Sequence, residues 1–166
     1  MYPPVSGIVK KRFKKLSLTK KGKTLISDDT KLLHLIIDTF MTKFNWAYYD
    51  GYSEEAIGQM GIGFSLILLS KYGNKKRLDK FYAKKYFIAY PHLIDQTIPL
   101  MYGTYEETAY STYSLRTFKR FLDYFGLITI ESPTKPLGNS KIIKTELFDK
   151  LIQCKPHRNN LQNQSH

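Results

Sequence analysis

A chain of 166 residues carrying +12 at neutral pH, with 42% apolar and 14% aromatic side chains, can fill a core, so disorder throughout is excluded. Its length suits one domain or two small ones and excludes a large catalytic core with a separate regulatory module. The single cysteine, Cys154, excludes an intrachain disulfide, and without a basic-then-apolar leader or a run of about 18 apolar residues the sequence reads as soluble and cytoplasmic, with no membrane partner.

Residues 1–23 hold eight basic side chains and no acid. Within them Ile8 and Val9, then Phe13, Leu16 and Leu18, alternate loosely with Lys and Arg, which predicts two short strands joined by a basic turn. Lys10, Lys11, Arg12, Lys14 and Lys15 cluster on that hairpin, and further positive charge gathers in residues 71–85 and 116–166. Thr19 is placed to cap a short helix through about Leu25 and Ile26. Asp28, Asp29 and Thr30 offer the next cap. Leu33, Ile36, Ile37, Phe40, Met41 and Phe44 then recur at helical spacing, predicting a helix to about Tyr48 that stops near Asp50 and Gly51. Glu54 and Glu55 suit the start of another helix, continued by Ile57, Met60, Phe64, Ile67 and Leu68 to Tyr72 and a terminating Gly73. Gly58, Gly61 and Gly63 inside it would each cost roughly 1 kcal/mol against alanine, so close approach of a second helix is expected there.

Leu78, Phe81, Tyr82, Phe87 and Ile88 predict a helix ending near Pro91, followed by a less regular stretch to about Tyr102. Beyond Thr104, a short helix opening with Glu106 and Glu107 is expected to give way near Ser111 and Thr112 to a second. In that second helix Leu115, Phe118, Leu122 and Phe125 share a face, while Arg116, Lys119, Arg120 and Asp123 point elsewhere. Gly126 suits a helix C-cap. Leu127, Ile128 and Ile130 then predict a strand, residues 133–140 a hairpin loop, and Ile142 and Ile143 a returning strand. Thr145 should cap a last helix holding Leu147, Phe148, Leu151 and Ile152. The fold class is therefore mainly α with small β-hairpin wings. Four segments are expected: a remnant basic wing and helix over 1–27, an aromatic helical bundle over 28–103, a winged helix-turn-helix over 104–155 and a loose polar tail over 156–166.

A helix, a glycine, a hairpin and a threonine-capped helix follow one another in a winged helix, a helix-turn-helix extended by a two-stranded wing. GLITI through IIKTELFDKLI, residues 126–152, is read as the complete copy, and GIV through LSLTKKGKTLI, residues 7–26, repeats its second half near the start of the chain. The LTKKGK stretch, Leu18 to Lys23, resembles the wing-to-helix junction of bacterial winged-helix regulators of the multiple-antibiotic-resistance and phenolic-acid-repressor type. FNWAYYDGY, residues 44–52, with FLDYFGL, residues 121–127, is similar to an uncharacterised family of bacterial tandem winged-helix proteins. The resemblance implies architecture and no activity. The N-terminal copy departs from the pattern, because only Met1 to Ser6 precede its wing. It reads either as the C-terminal part of a longer ancestor or as a hairpin packed on the bundle.

On this reading Arg116 to Arg120 lie on the recognition helix. Arg116 and Arg120 would donate to guanine in the major groove, while Lys119, the wing residues Lys135 and Lys141, and the Lys10 to Lys15 cluster contact phosphates. The expected function is non-enzymatic, regulatory binding of double-stranded DNA. The rival is a winged helix used as a protein–protein interface or homodimer, with membrane-surface binding by the basic N-terminus a weaker third reading. Catalytic patterns fail on inspection. Gly22 to Thr24 would need a glycine where Ser17 stands to form a phosphate loop, and Leu66 stands where a dinucleotide motif begun by Gly61 and Gly63 needs its third glycine. His34, His92, His157 and His166 lack metal-ligand spacing, and no cofactor is expected. Asn45 to Tyr52 is the densest aromatic run and offers rings to unpaired bases, although such runs more often fill a core.

Overall fold

A computed structural model describes residues 7–99, 103–133 and 138–154. The predicted N-terminal hairpin is present as β1 (Val9–Arg12) and β2 (Lys15–Leu18), paired antiparallel from Val9↔Leu18 to Arg12↔Lys15. Only Phe13 and Lys14 connect the strands, both left-handed at φ 47° and 63°, the backbone a two-residue hairpin turn requires to match strand twist. Helix α1 (Lys20–Leu25) follows, its first turn capped by Thr19, whose hydroxyl accepts from the Gly22 amide at 3.0 Å. The same hydroxyl donates to the Gly7 carbonyl at 2.8 Å, and the Thr19 amide donates to the Ile8 carbonyl, so helix and hairpin meet at one residue. Gly22 is buried there, and a Cβ on it would lie 2.1 Å from the Ile8 carbonyl oxygen.

Helix α2 (Asp29–Thr42) starts as expected, with the Asp28 carboxylate accepting from the Lys31 amide, but ends at Thr42 rather than near Tyr48. Residues 44–61 form turns, so the helix expected from Glu54 does not exist before α3 (Ile62–Tyr72). Gly58 and Gly61 are left-handed at φ 86° and 70°, a conformation no helix interior accommodates. Close approach is nonetheless why Gly58 is small: a Cβ would sit 2.9 Å from the Thr117 hydroxyl. Then come β3 (Arg77–Leu78), α4 (Asp79–Ala89) and the short α5 (His92–Asp95).

Helix α6 (Tyr105–Tyr113) is opened by a capping box between Thr104 and Glu107. It runs without the expected break at Ser111 and Thr112 into a π-helix, Ser114–Asp123, whose hydrogen bonds span five residues instead of four. Gly126, left-handed at φ 67°, ends the turn after it. Strands β4 (Ile128–Glu131) and β5 (Lys141–Lys144) pair antiparallel from Ile128↔Lys144 to Glu131↔Lys141, and α7 (Glu146–Leu151) is capped by Thr145. The two-residue β3 adds to the other edge of β5, giving the sheet order β3-β5-β4. The fold is thus mainly helical with small antiparallel hairpins. Ile37, Trp46, Tyr82, Tyr86, Phe118 and Phe148 belong to one buried cluster, so the segments expected as bundle and winged helix share a core. Among the described residues no helix is long and apolar enough to cross a membrane.

Gly22→Ala should undock the hairpin while leaving that core intact. Amide exchange at Thr19, whose N–H bonds to the Ile8 carbonyl, is expected to quicken at least about tenfold with the main thermal transition almost unmoved, because none of the hairpin residues belongs to the buried cluster.

Candidate nucleic-acid interface

The π-helical segment turns the expected reading helix inside out. Buried side chains there recur five apart, as Thr112, Thr117 and Leu122, as Tyr113 and Phe118, and as Arg116 and Phe121. An α-helical count puts Arg116 on the solvent side of Leu115, Phe118 and Leu122, whereas the π spacing puts it in the core, fully buried. Its guanidinium donates from Nε to Asp50 Oδ2 at 2.6 Å and from Nη2 to Asp50 Oδ1 at 3.2 Å. Nη1 donates to the Glu54 carbonyl and to the Ile57 carbonyl at 3.3 Å. Arg120 sits one turn on and donates from Nη1 to the Trp46 and Tyr48 carbonyls, both at 2.8 Å, with Asp50 Oδ2 at 3.8 Å. The expectation that Arg116 and Arg120 face a DNA groove is therefore corrected. Both are spent on the chain 46–57, and only Lys119 of the three is exposed.

Asp50 completes this knot. Both side chains of the Asp50–Arg116 pair are wholly shielded from water. Burial pushes the Asp50 carboxyl up, but the hydrogen bonds from Arg116 and the Tyr52 amide, with the charges of Arg116 and Arg120, outweigh it and hold the pKa below the ordinary value. The aromatic run, weighed between core packing and base stacking, is divided by the same knot. Trp46 is buried, its indole donating to the Phe40 carbonyl at 2.8 Å, while Tyr49 is left exposed.

The other basic candidates separate by what neutralises them. Lys141 pairs with Glu131 at 3.3 Å, and Lys76 reaches the same carboxylate at 2.7 Å, holding Glu131 below its usual range. Lys135 lies outside the described residues. In the 71–85 cluster, Arg77 and Lys85 lie over Phe81 at 4.7 and 5.1 Å, their charge set against ring faces, and Lys80 and Lys84 remain exposed on α4. On the N-terminal hairpin Lys10, Lys11, Arg12, Lys14 and Lys15 are all exposed. The register puts Lys10, Ser17, Arg12 and Lys15 on one face of the ladder and Val9, Leu18, Lys11 and Leu16 on the other. Among the described residues no carboxylate pairs with Lys10, Arg12, Lys14 or Lys15. Lys10, Arg12, Lys14 and Lys15 thus give the hairpin an exposed basic face without carboxylate partners among the described residues, where chain order alone placed the reading surface on the C-terminal helix.

The chain matches no protein-family model, and no curated protein or solved structure proves similar to it.

Asp50→Ala should cost about 3–5 kcal/mol in urea unfolding, because it strands a buried guanidinium. The acid limb carries a second expectation. A carboxyl whose folded pKa is depressed adds stability that is full above its unfolded pKa of about 3.9 and is lost as pH falls through the folded value. Wild type should therefore lose stability below about pH 4 more steeply than Asp50→Asn, and parallel curves for the two would remove Asp50 as the source.

Proposed function

We propose that the chain is a non-enzymatic double-stranded DNA-binding protein whose phosphate contacts come from the N-terminal hairpin, with Lys119 and the exposed lysines of α4 as further contacts. The observation that carries this reading is the face of Lys10, Arg12 and Lys15, with neutral Ser17 beside them and no carboxylate partner for the three cations among the described residues. A polyanion gains affinity by releasing counterions wherever such side chains reach its phosphates. The order α3, β3, α4, the short α5, α6 running into the π-helix, and the β4–β5 hairpin, with β3 added to β5, supports a winged helix larger than the one expected from residue 104 onward. Within it the long helix carries Glu106 and Glu107 exposed in its first turn, which disfavours phosphate there and shifts the electrostatic footprint to the hairpin. A regulatory role in the cytoplasm fits this reading.

Anisotropy titrations of a labelled mixed-sequence duplex test it. Affinity should fall steeply between about 50 and 200 mM salt. Replacing Lys10, Arg12 and Lys15 together by alanine should weaken binding across all sequences and flatten the logarithmic salt slope by about three. An unchanged slope would remove the hairpin as the contact surface. Salt-insensitive self-association with no duplex binding would favour the homodimer reading instead.

A further inference from the structure

Phe13 is the least sheltered large apolar side chain of the described residues, 92% exposed, in the two-residue turn that joins β1 and β2. It also holds φ 47°, a region that bulky residues leave to Gly, Asn and Asp. The free protein thus carries strain and exposed apolar area at one residue and recovers neither through a contact of its own. Arg12 and Lys14 flank the ring in sequence, and Lys15 lies across the ladder from Arg12. A ring set among cations on a projecting turn matches a ligand that offers a flat π-face beside fixed negative charge, which is a nucleobase next to its phosphate. Lipid fits less well. Val9 and Leu18 are half-buried, leaving Phe13 and Leu16 as the hairpin's exposed apolar side chains, too small a surface for stable interfacial anchoring.

We infer that Phe13 stacks on a nucleobase, entering as a wedge at a base step of duplex DNA or covering an unpaired base, while the flanking cations hold the phosphates. This rests on the nucleic-acid reading above and adds to it a ring contact that charge alone does not supply.

The test compares wild type with Phe13→Asn and Phe13→Trp on a duplex containing a flexible TA step, on a single strand of the same sequence, and on phosphatidylserine vesicles. Asparagine suits the turn and leaves every charge in place, so it removes the ring without weakening the hairpin. Phe13→Asn should bind nucleic acid roughly 5- to 150-fold more weakly than wild type with an unchanged salt slope. Loss on the duplex identifies the wedge, and loss on the single strand alone identifies the unpaired base. Phe13→Trp should bind near wild-type strength, its added emission quenched by nucleic acid over the background of buried Trp46. If wild type binds and Phe13→Asn matches it within twofold, the stacking inference falls and the phosphate reading survives. Wild type that binds no nucleic acid overturns both. Emission that shifts on vesicles and ignores nucleic acid overturns the inference in favour of lipid.

Discussion

The buried ion pair between Asp50 and Arg116 is the constraint on which the arrangement of the rest turns. Taking two charges out of water is expensive unless every lone pair and N–H finds a partner. Here the Asp50 carboxylate receives Arg116 in a two-pronged contact together with the Tyr52 amide, and Arg116 Nη1 donates to the Glu54 and Ile57 carbonyls. Arg120 serves the Trp46, Tyr48 and Tyr49 carbonyls. Residues 44–61 have no helix or strand to satisfy their backbone, so the two guanidinium groups replace a ladder of hydrogen bonds. Removing Arg116 would therefore strand the Asp50 carboxylate and the Glu54 and Ile57 carbonyls together, in a loop that also carries buried Trp46 and Ile57.

The π-helix makes that pair reachable. In an α-helix the rows of Thr112, Thr117 and Leu122 and of Arg116 and Phe121 would drift apart around the axis; with five-residue spacing each row stays on the core side. The wider turn admits Arg116, Thr117 and Phe118 together into one interior, with Gly58 kept bare where the loop crosses Thr117. Tyr86 closes the same corner, accepting from the Gly58 amide at 3.2 Å and donating to the Met60 carbonyl at 2.7 Å. Burial pushes the pKa of its hydroxyl up to about 12, against the lowering effect of the bond accepted from the Gly58 amide.

What the sequence made legible was local. The hairpins, the threonine caps at Thr19 and Thr145, the Asp28 cap and the left-handed Gly126 all rest on chemistry within a few residues, and each appears where the pattern put it. The failures share another cause. Glu54 and Glu55 looked like a helix start because acids favour one, but Glu54 instead accepts from the Ala56 amide in a tight turn and lends its carbonyl to Arg116. The helix ending at Thr42 instead of Tyr48 surrenders Trp46 to the core, a tertiary demand that propensity does not encode. A strand of two residues, Arg77 and Leu78, has no periodicity to read. Arg116 was misplaced because the 3.6-residue wheel was the wrong ruler; the one available signal was Asp50, an isolated acid in an aromatic run, which needed a cation from elsewhere.

Once two arginines are committed to the interior, the net charge ceases to describe the surface. Glu131 ties Lys76 and Lys141, Asp149 ties Lys144, and Phe81 and Tyr72 draw Arg77 and Lys85 over their rings. The unneutralised remainder concentrates on a hairpin that an isolated two-stranded ribbon could hardly keep ordered. Its root supplies the order, since Thr19 bonds both to Gly7 and to the helix it caps while Gly22 lets the Ile8 carbonyl lie against that helix. An arm fixed in this way enters a complex without losing much backbone entropy. Strain at Phe13 and mutual repulsion among Lys10, Arg12, Lys14 and Lys15 are then tolerable in the free protein, because the local bonds at Thr19 and Gly22, and not the tip itself, hold the arm in place.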